Sequence, residues 1–270
     1  MAVDSTAWKA FTGIAEHYDC RPPYPRESVE AINRRMSPRL QGAVIEVGAG
    51  TGIFTRLLAR ELRPAGPILA IEPSSDMRAT AARSTPDAAK VSYIDGAAEQ
   101  LPVEDGAARL VVAAAAAQRF DRPRFYAEAR RVLAPGGVLA LVQNSLDDSR
   151  SAFVDEYFSM LEKHAPTYRR GMRTARDGSY QDIDYATELR EASQLTDVEA
   201  LRWPIDARVD RQNLIQLVRT STILQSAIER LGIDAVLAEA LSIFARHADT
   251  QGVVTMTYVN ETFIAGQPAD

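Results

Sequence analysis

Between residues 42 and 142 short apolar runs alternate with stretches whose apolar residues recur at helical spacing, a rhythm that predicts strand and helix units wound into a parallel sheet. Residues 43–47 read as the first strand. On the helix that follows, Ile53, Phe54, Leu57, Leu58 and Leu62 share one face while Arg56, Arg60 and Glu61 fall elsewhere, until Pro64 and Gly66 end it. Residues 68–71 and 91–94 predict the second and third strands, with a helix over 76–83 entered through Ser74 or Ser75 as cap. A fourth strand over 110–114 runs into Ala115, Ala116 and Ala117, which are small enough to let a ligand lie close to the backbone. A helix over 124–133, a turn at Pro135-Gly136-Gly137 and a fifth strand over 138–142 complete this half.

Beyond Asn144 the pattern changes. Residues 151–163 are helical, with Phe153, Val154, Tyr157, Phe158 and Leu161 on one side, and the aromatic stripe Phe153, Tyr157 and Phe158 is either the core of an added lobe or a wall of a substrate pocket. A helix over 184–195, a strand over 198–203, helices over 212–231 and 233–247 parted at Gly232, and a closing strand over 253–264 follow. Residues 169–178 read as a loop whose Arg169, Arg170, Arg173 and Arg176 either face water or clasp an anionic substrate. No repeat and no low-complexity tract interrupts the chain.

The chain's 270 residues are 46% hydrophobic and 25% charged, which leaves ample material for a core. A formal net charge of −5 with three scattered histidines makes no field that would gather a polyanion, so no nucleic-acid partner is expected. The single cysteine, Cys20, can form neither an internal disulfide nor a thiolate cage, which suits a reducing compartment and predicts no metal. The chain does not open on a basic stretch followed by an apolar run, and no segment reaches the roughly 18 apolar residues that span lipid. The expectation is a cytoplasmic protein with no membrane partner, as a monomer or a homodimer.

Candidate chemistry concentrates at Glu46-Val47-Gly48-Ala49-Gly50-Thr51-Gly52, where the first strand turns into the first amphipathic helix. Glycines there permit positive φ and predict backbone amides touching a ligand at the positive end of a helix. The spacing excludes two common nucleotide sites. A dinucleotide fingerprint needs a third glycine at position 53, where Ile53 stands, and no Gly-Lys-Ser/Thr follows to make a phosphate loop. Glu72 ends the second strand about 20 residues beyond the glycines, where a carboxylate can accept hydrogen bonds from both hydroxyls of a ribose. The two features together predict an adenosine-type ligand.

Five segments in this order, YDCRPPYP (18–25), the glycine motif, IEPSSDM (71–77), GAAEQLP (96–102) and RVLAPGGVLALV (131–142), make the sequence resemble the class I S-adenosylmethionine-dependent methyltransferases, in the branch of trans-aconitate methyltransferase-like proteins. LVQNSLD (141–147) and TYVNETFI (257–264) resemble that branch more loosely. The resemblance implies an α/β fold with a doubly wound, mainly parallel seven-stranded sheet, Rossmann-like, plus an added helical lobe roofing the active site. The chain then divides into an N-terminal helical segment over 1–40 that covers the cofactor, a cofactor-binding core over 41–145, a helical lobe over 146–196 and 212–249, a core strand over 197–211, and a closing strand with tail over 250–270.

The resemblance also assigns residues. Gly48, Ala49, Gly50 and Gly52 would hold the methionine portion of S-adenosylmethionine with Glu46 orienting the loop, Glu72 beside Pro73 would take the ribose hydroxyls, and Met77 would pack on the adenine. Gly96, Ala97, Ala98 and Glu99 would bracket the base; many relatives carry an aspartate at the position of Ala97, so Glu99 or backbone groups would replace it. Tyr18 and Arg21 would close the pocket and meet the cofactor carboxylate, and Ala113 and Ala114 would line it. Where relatives often read His-Trp-Phe-Asp after strand four, this chain reads Gln118-Arg119-Phe120-Asp121, beside the transferred methyl. Gln118 and Arg119 are therefore catalytic candidates, and Tyr24, Gln118, Asn144 and Tyr157 candidate substrate contacts. Gln118 can position an acceptor oxygen but cannot take its proton; a carboxylate acceptor needs no base, whereas a hydroxyl, amine or carbon acid would draw on His17 or His164.

The function expected is methyl transfer to an oxygen of a small-molecule metabolite, with S-adenosylhomocysteine as product and a place in secondary metabolite biosynthesis. Two other readings stand beside it: the same cofactor promoting a cyclisation or rearrangement without methyl transfer, and a scaffold that binds no cofactor.

Overall fold

The computed structural model describes residues 13–63, 66–86, 90–191 and 193–269; residues 1–12 of the expected N-terminal segment and Pro64, named above as a helix stop, lie outside them. The first half runs α1 (Arg26–Arg35), β1 (Ala43–Val47), α2 (Ile53–Glu61), β2 (Ile68–Ile71), α3 (Ser75–Ser84), β3 (Val91–Ile94), β4 (Ala108–Ala114), α4 (Arg122–Val132) and β5 (Leu133–Leu146). The second half runs α5 (Ala152–His164), β6 (Arg173–Thr174), β7 (Tyr180–Gln181), α6 (Tyr185–Glu191), β8 (Thr196–Asp210), α7 (Arg211–Arg219), α8 (Gln225–Leu231), α9 (Ile233–His247) and β9 (Val253–Gly266).

Seven strands pair in the order β3-β2-β1-β4-β5-β9-β8. β1 to β5 run parallel, and β9 is antiparallel to both β5 and β8. Parallel strands need both faces covered, which is why β1 reads as an apolar run interrupted only by Glu46. α1 and α2 cover one face through Val29, Ile32, Phe54 and Leu58, and α4 and α6 cover the other through Phe125, Tyr126, Tyr185 and Leu189. The chain departs from β1 toward β2 on one side and reaches β4 on the other, so the order reverses there. A crevice opens outside the strand tips at such a switch point, and it is the usual ligand site in doubly wound sheets.

A third apolar cluster joins α5, α7, α8 and α9 to the β9 residues Val254, Met256 and Tyr258. Phe153 and Val154 belong to this lobe core, whereas Tyr157 and Phe158 belong to it and also border the cavity described below.

Four local expectations need correction. The helix expected over 212–231 is two, α7 and α8, because Thr220 caps α7 and the chain turns before Gln225. The loop expected over 169–178 carries β6, which pairs with β7 in a small hairpin whose two-residue strands are too short to leave a periodic signal. Pro135-Gly136-Gly137 is not a turn ahead of a strand but an excursion inside β5, where the partner of Ala108 is Leu133 and that of Leu110 is Val138. The strand read from the pattern over 198–203 extends to Asp210, as the 197–211 implied by the resemblance has it, and Glu199 to Asp210 pair continuously with β9. Of the two candidate caps for α3, Ser74 serves: its hydroxyl accepts from the Met77 amide.

Candidate active site

The tips of β1, β2 and β4 open into a cavity of about 390 Å³ that continues upward beneath the lobe. Glu72, at the tip of β2, organises its floor. Its Oε2 accepts from the Gly50 amide at 2.9 Å and its Oε1 from the Ser74 amide at 2.9 Å, which leaves one further lone pair on each oxygen. Burial raises the Glu72 carboxyl against these two amides, which favour the anion. Glu46 lies deeper, 1% exposed, and burial pushes its carboxyl up to about 8, with the charge of Glu72 adding to the rise.

The glycine loop differs in one respect from the expected cradle of amides. Gly48 and Ala49 both donate to the Ile71 carbonyl, at 2.8 and 3.1 Å, Gly50 donates to Glu72 and Gly52 to the Ala49 carbonyl, so these amides are already engaged. What the loop offers a ligand is room. A Cβ at Gly50 (φ +56°) would meet nothing within 4 Å, whereas one at Gly48 (φ +73°) would stand 2.6 Å from the Ala116 Cβ. Gly50 thus leaves the cavity open and Gly48 lets β1 approach the exit of β4.

Tyr18, Arg21, Tyr24, Glu46, Gly48, Ala49, Gly50, Glu72, Pro73, Met77, Gly96, Ala97, Ala98, Glu99, Ala114, Gln118, Arg119, Asn144 and Tyr157 all line this one cavity. Four expected residues do not. Gly52 caps α2 behind the loop, and Ala113, one residue before Ala114 on β4, points to the opposite face of the sheet. His17 is exposed on the 3-10 helix Ala15–Cys20 and does not border the cavity. His164 is buried in the lobe with its Nε2 2.7 Å from Glu239 Oε2, also outside the cavity. Neither His17 nor His164 borders the cavity.

At the exit of β4, Ala115 adopts a left-handed backbone (φ 48°) that turns the chain into the 3-10 helix Ala117–Arg119. A non-glycine residue in this region costs about 1 kcal/mol or more and marks a constrained turn. Its carbonyl accepts from Gln118 Nε2 at 3.0 Å; because a carbonyl only accepts, this bond fixes which way the amide points. Gln118 Oε1 is then buried with no hydrogen-bond partner among the described residues, as are Glu46 Oε2 and Arg21 Nε. Burial holds the Arg119 guanidinium below its usual value. Glu99 is drawn to the same corner: its Oε1 accepts from the Asp121 amide at 2.8 Å and lies 3.7 Å from Arg176 Nη1.

Tyr24 packs edge-on against Phe54 with ring centres 5.0 Å apart. Asn144 donates to the Pro23 carbonyl and accepts from Asn260, which ties the N-terminal segment to β5 and β9. The roof is Tyr157, Phe158 and Leu161 of α5, Tyr168 and Met172 with β6, Leu217 of α7, the turn 221–223, and Met256 and Tyr258 of β9. Except for Tyr157 and Phe158 these went unnamed as site residues in the sequence, because nothing in local pattern says that α5, α7 and β9 converge on one volume. Of the four arginines considered as an anion clasp, Arg173 and Arg176 line the cavity; Arg170 instead pairs with Asp148, Asp155 and Glu162. Burial pushes the Tyr157 phenol up to about 12.

Residues 45–141 match the model of a methyltransferase domain. Over 93% of its length the chain is 26% identical to an uncharacterised methyltransferase of Schizosaccharomyces pombe, of which the match covers 95%. It is 33% identical over 129 residues to an uncharacterised methyltransferase of Mycobacterium tuberculosis, a match spanning 47% of this chain and 49% of that one. Among solved structures, a candidate type II methyltransferase from Anaeromyxobacter dehalogenans superposes with a TM-score of 0.64 at 21% identity, covering 93% of this chain and 99% of that one.

The fold is therefore the Rossmann-like fold of the class I methyltransferases. The methyltransferase-domain match over residues 45–141 makes S-adenosylmethionine the molecule against which the cavity is tested. The cavity suits that molecule on its own evidence. Glu72 has two outward lone pairs, Gly50 leaves open space, and a buried guanidinium nitrogen of Arg21 lacks an acceptor. No helix of the described residues is long and apolar enough to cross a membrane, and no metal-binding cluster occurs among them.

Proposed function

We propose that this protein is an S-adenosylmethionine-dependent methyltransferase that methylates an oxygen of a small carboxylate-bearing metabolite enclosed between the sheet tips and the lobe. Bound S-adenosylmethionine supplies an electrophilic methyl on a sulfonium. Glu72 accepts the ribose hydroxyls through its two remaining lone pairs, Met77 and residues 96–99 bracket the adenine, and Arg21 with Tyr18 meets the methionine carboxylate. The acceptor lies under Tyr157 and beside Gln118 and Arg119. Displacement needs the attacking oxygen about 3 to 3.5 Å from the methyl and in line with it, so positioning is the main task of the protein here.

The observation that carries this reading is the lining of the acceptor end. Arg119 stands there with an aromatic wall, Arg173 beside it is paired with Glu261 at 3.0 Å, and no histidine among the described residues borders the cavity. An ionised carboxylate is attracted by guanidinium groups and is already a nucleophile, so such a cavity suits it without a base. The test is incubation with S-adenosylmethionine and a panel of carboxylic acids, alcohols and amines, read by mass. A carboxylate product heavier by one methylene and cleaved by mild base supports the reading. A product methylated on nitrogen or carbon would sink the oxygen assignment, and a product of unchanged mass would favour cyclisation or rearrangement.

A further inference from the structure

Arg21 sits where the cover of the cofactor cavity meets the roof of the acceptor chamber. It follows the 3-10 helix Ala15–Cys20 and lines the cavity, and its Nη2 donates to the carbonyl of Thr220 at 2.5 Å. Thr220 caps the C-terminus of α7, where the last carbonyls concentrate negative partial charge and a guanidinium is favourable. The Cys20 thiol lies 3.9 Å from the Thr220 hydroxyl at the same junction.

The next residues, 221–223, line the cavity, and Thr222 Oγ1 lies 3.3 Å from Thr174 Oγ1 of β6. A short run of contacts therefore leads from Arg21 through Thr220 and Thr222 to the hairpin that carries Arg173. The Arg21 Nε is buried with no hydrogen-bond partner among the described residues. A guanidinium with donors left over in a desolvated place is costly until an anion comes beside it, and charge-assisted bonds then form on both of its sides.

We propose that Arg21 is a positioning residue that couples cofactor binding to assembly of the acceptor chamber. With the cofactor carboxylate beside the guanidinium, the hold on Thr220 tightens and the 221–223 turn and the β6–β7 hairpin stay in place; without it they loosen. This rests on the reading that the methionine carboxylate meets Arg21. By linkage, anything that stabilises the closed roof tightens cofactor binding by the same factor.

Amide hydrogen exchange on the whole chain, with and without saturating S-adenosylhomocysteine, tests it. In the wild type the ligand should slow exchange at 72–77, where the nucleoside binds, and by at least about fivefold at 217–223. Arg21→Met should keep the first effect and lose the second, with Arg21→Lys between them. A purely structural arginine would change 217–223 equally with and without ligand. Should Arg21→Met no longer bind, 5′-methylthioadenosine decides on the wild type, since it keeps the nucleoside and lacks the carboxylate: it should slow 72–77 and leave 217–223 unchanged. Slowing at 217–223 by 5′-methylthioadenosine, or none there with S-adenosylhomocysteine bound, overturns the coupling. No slowing at 72–77 with S-adenosylhomocysteine would overturn the cofactor assignment itself, and the coupling with it.

Discussion

Gly50 donates its amide to Glu72 Oε2 at 2.9 Å, so the loop after β1 and the tip of β2 form one hydrogen-bonded unit. A ligand touching either part meets a surface that the other holds in place. The glycine motif and the acidic strand end, 22 residues apart, thus act as one device.

Removing the carboxylate should therefore act twice, on the ribose contact and on the loop. Glu72→Ala should weaken S-adenosylhomocysteine binding about tenfold to a hundredfold, and Glu72→Gln less, because the amide oxygen still accepts. Titration calorimetry measures both. Unchanged affinity in Glu72→Ala would refute the ribose assignment.

Two glycines of the loop should respond oppositely. Gly48→Ala places a Cβ 2.6 Å from that of Ala116, and should lower the melting temperature by several degrees. Gly50→Ala meets no atom, so its fold cost is only the about 1 kcal/mol of a left-handed alanine, while the methyl projects into the cavity and weakens cofactor binding. Thermal melts with and without S-adenosylhomocysteine separate the two, and equal behaviour would contradict the division of roles.

Glu46 should make stability fall with rising pH. Its carboxyl is pushed up to about 8 by burial, above the unfolded value of 4.5, so the folded chain holds more protons between those values. The contribution is fully present below about pH 4.5 and is lost as pH rises through about 8. Glu46→Gln, which cannot ionise, should gain on the wild type by on the order of 1 to 3 kcal/mol toward pH 8. Denaturant unfolding at pH 5.5 and 8.5 reads the difference; parallel pH curves for the two proteins would rule the buried acid out as the source.

His17→Ala should leave kcat/KM within about twofold, since the side chain is exposed and away from the cavity. His164→Ala should also spare catalysis but cost about 1 kcal/mol or more of stability through the lost bond to Glu239. A large kcat loss with normal folding in either variant would restore a histidine base.

Much of the core was legible beforehand because its signals are local. Apolar runs end at the right residues for β1, β2 and β3, and the face formed by Phe54, Leu57 and Leu58 identifies α2. The seven-stranded, mainly parallel sheet came through resemblance, and its strand order came only from the structure. Short-range pattern failed where pairing partners are distant: the β6–β7 hairpin, the full length of β8, and the break between α7 and α8 at Thr220. It also misjudged the glycine amides, since a donor aimed at a ligand and one engaged by the Ile71 carbonyl look alike in one dimension.

The amino-acid order alone determined the cofactor half of the protein, because a strand, a glycine loop and an acid at the next strand's tip lie close along the chain and need only a standard winding to meet. The roof of the cavity was decided by tertiary structure. Tyr157, Thr222 and Tyr258 come from three separate segments, and only the packing of the lobe on β9 brings them over one volume. Burial, which sets the protonation of Glu46 and the environment of Arg21 alike, is a property of that packing and not of any neighbour in sequence.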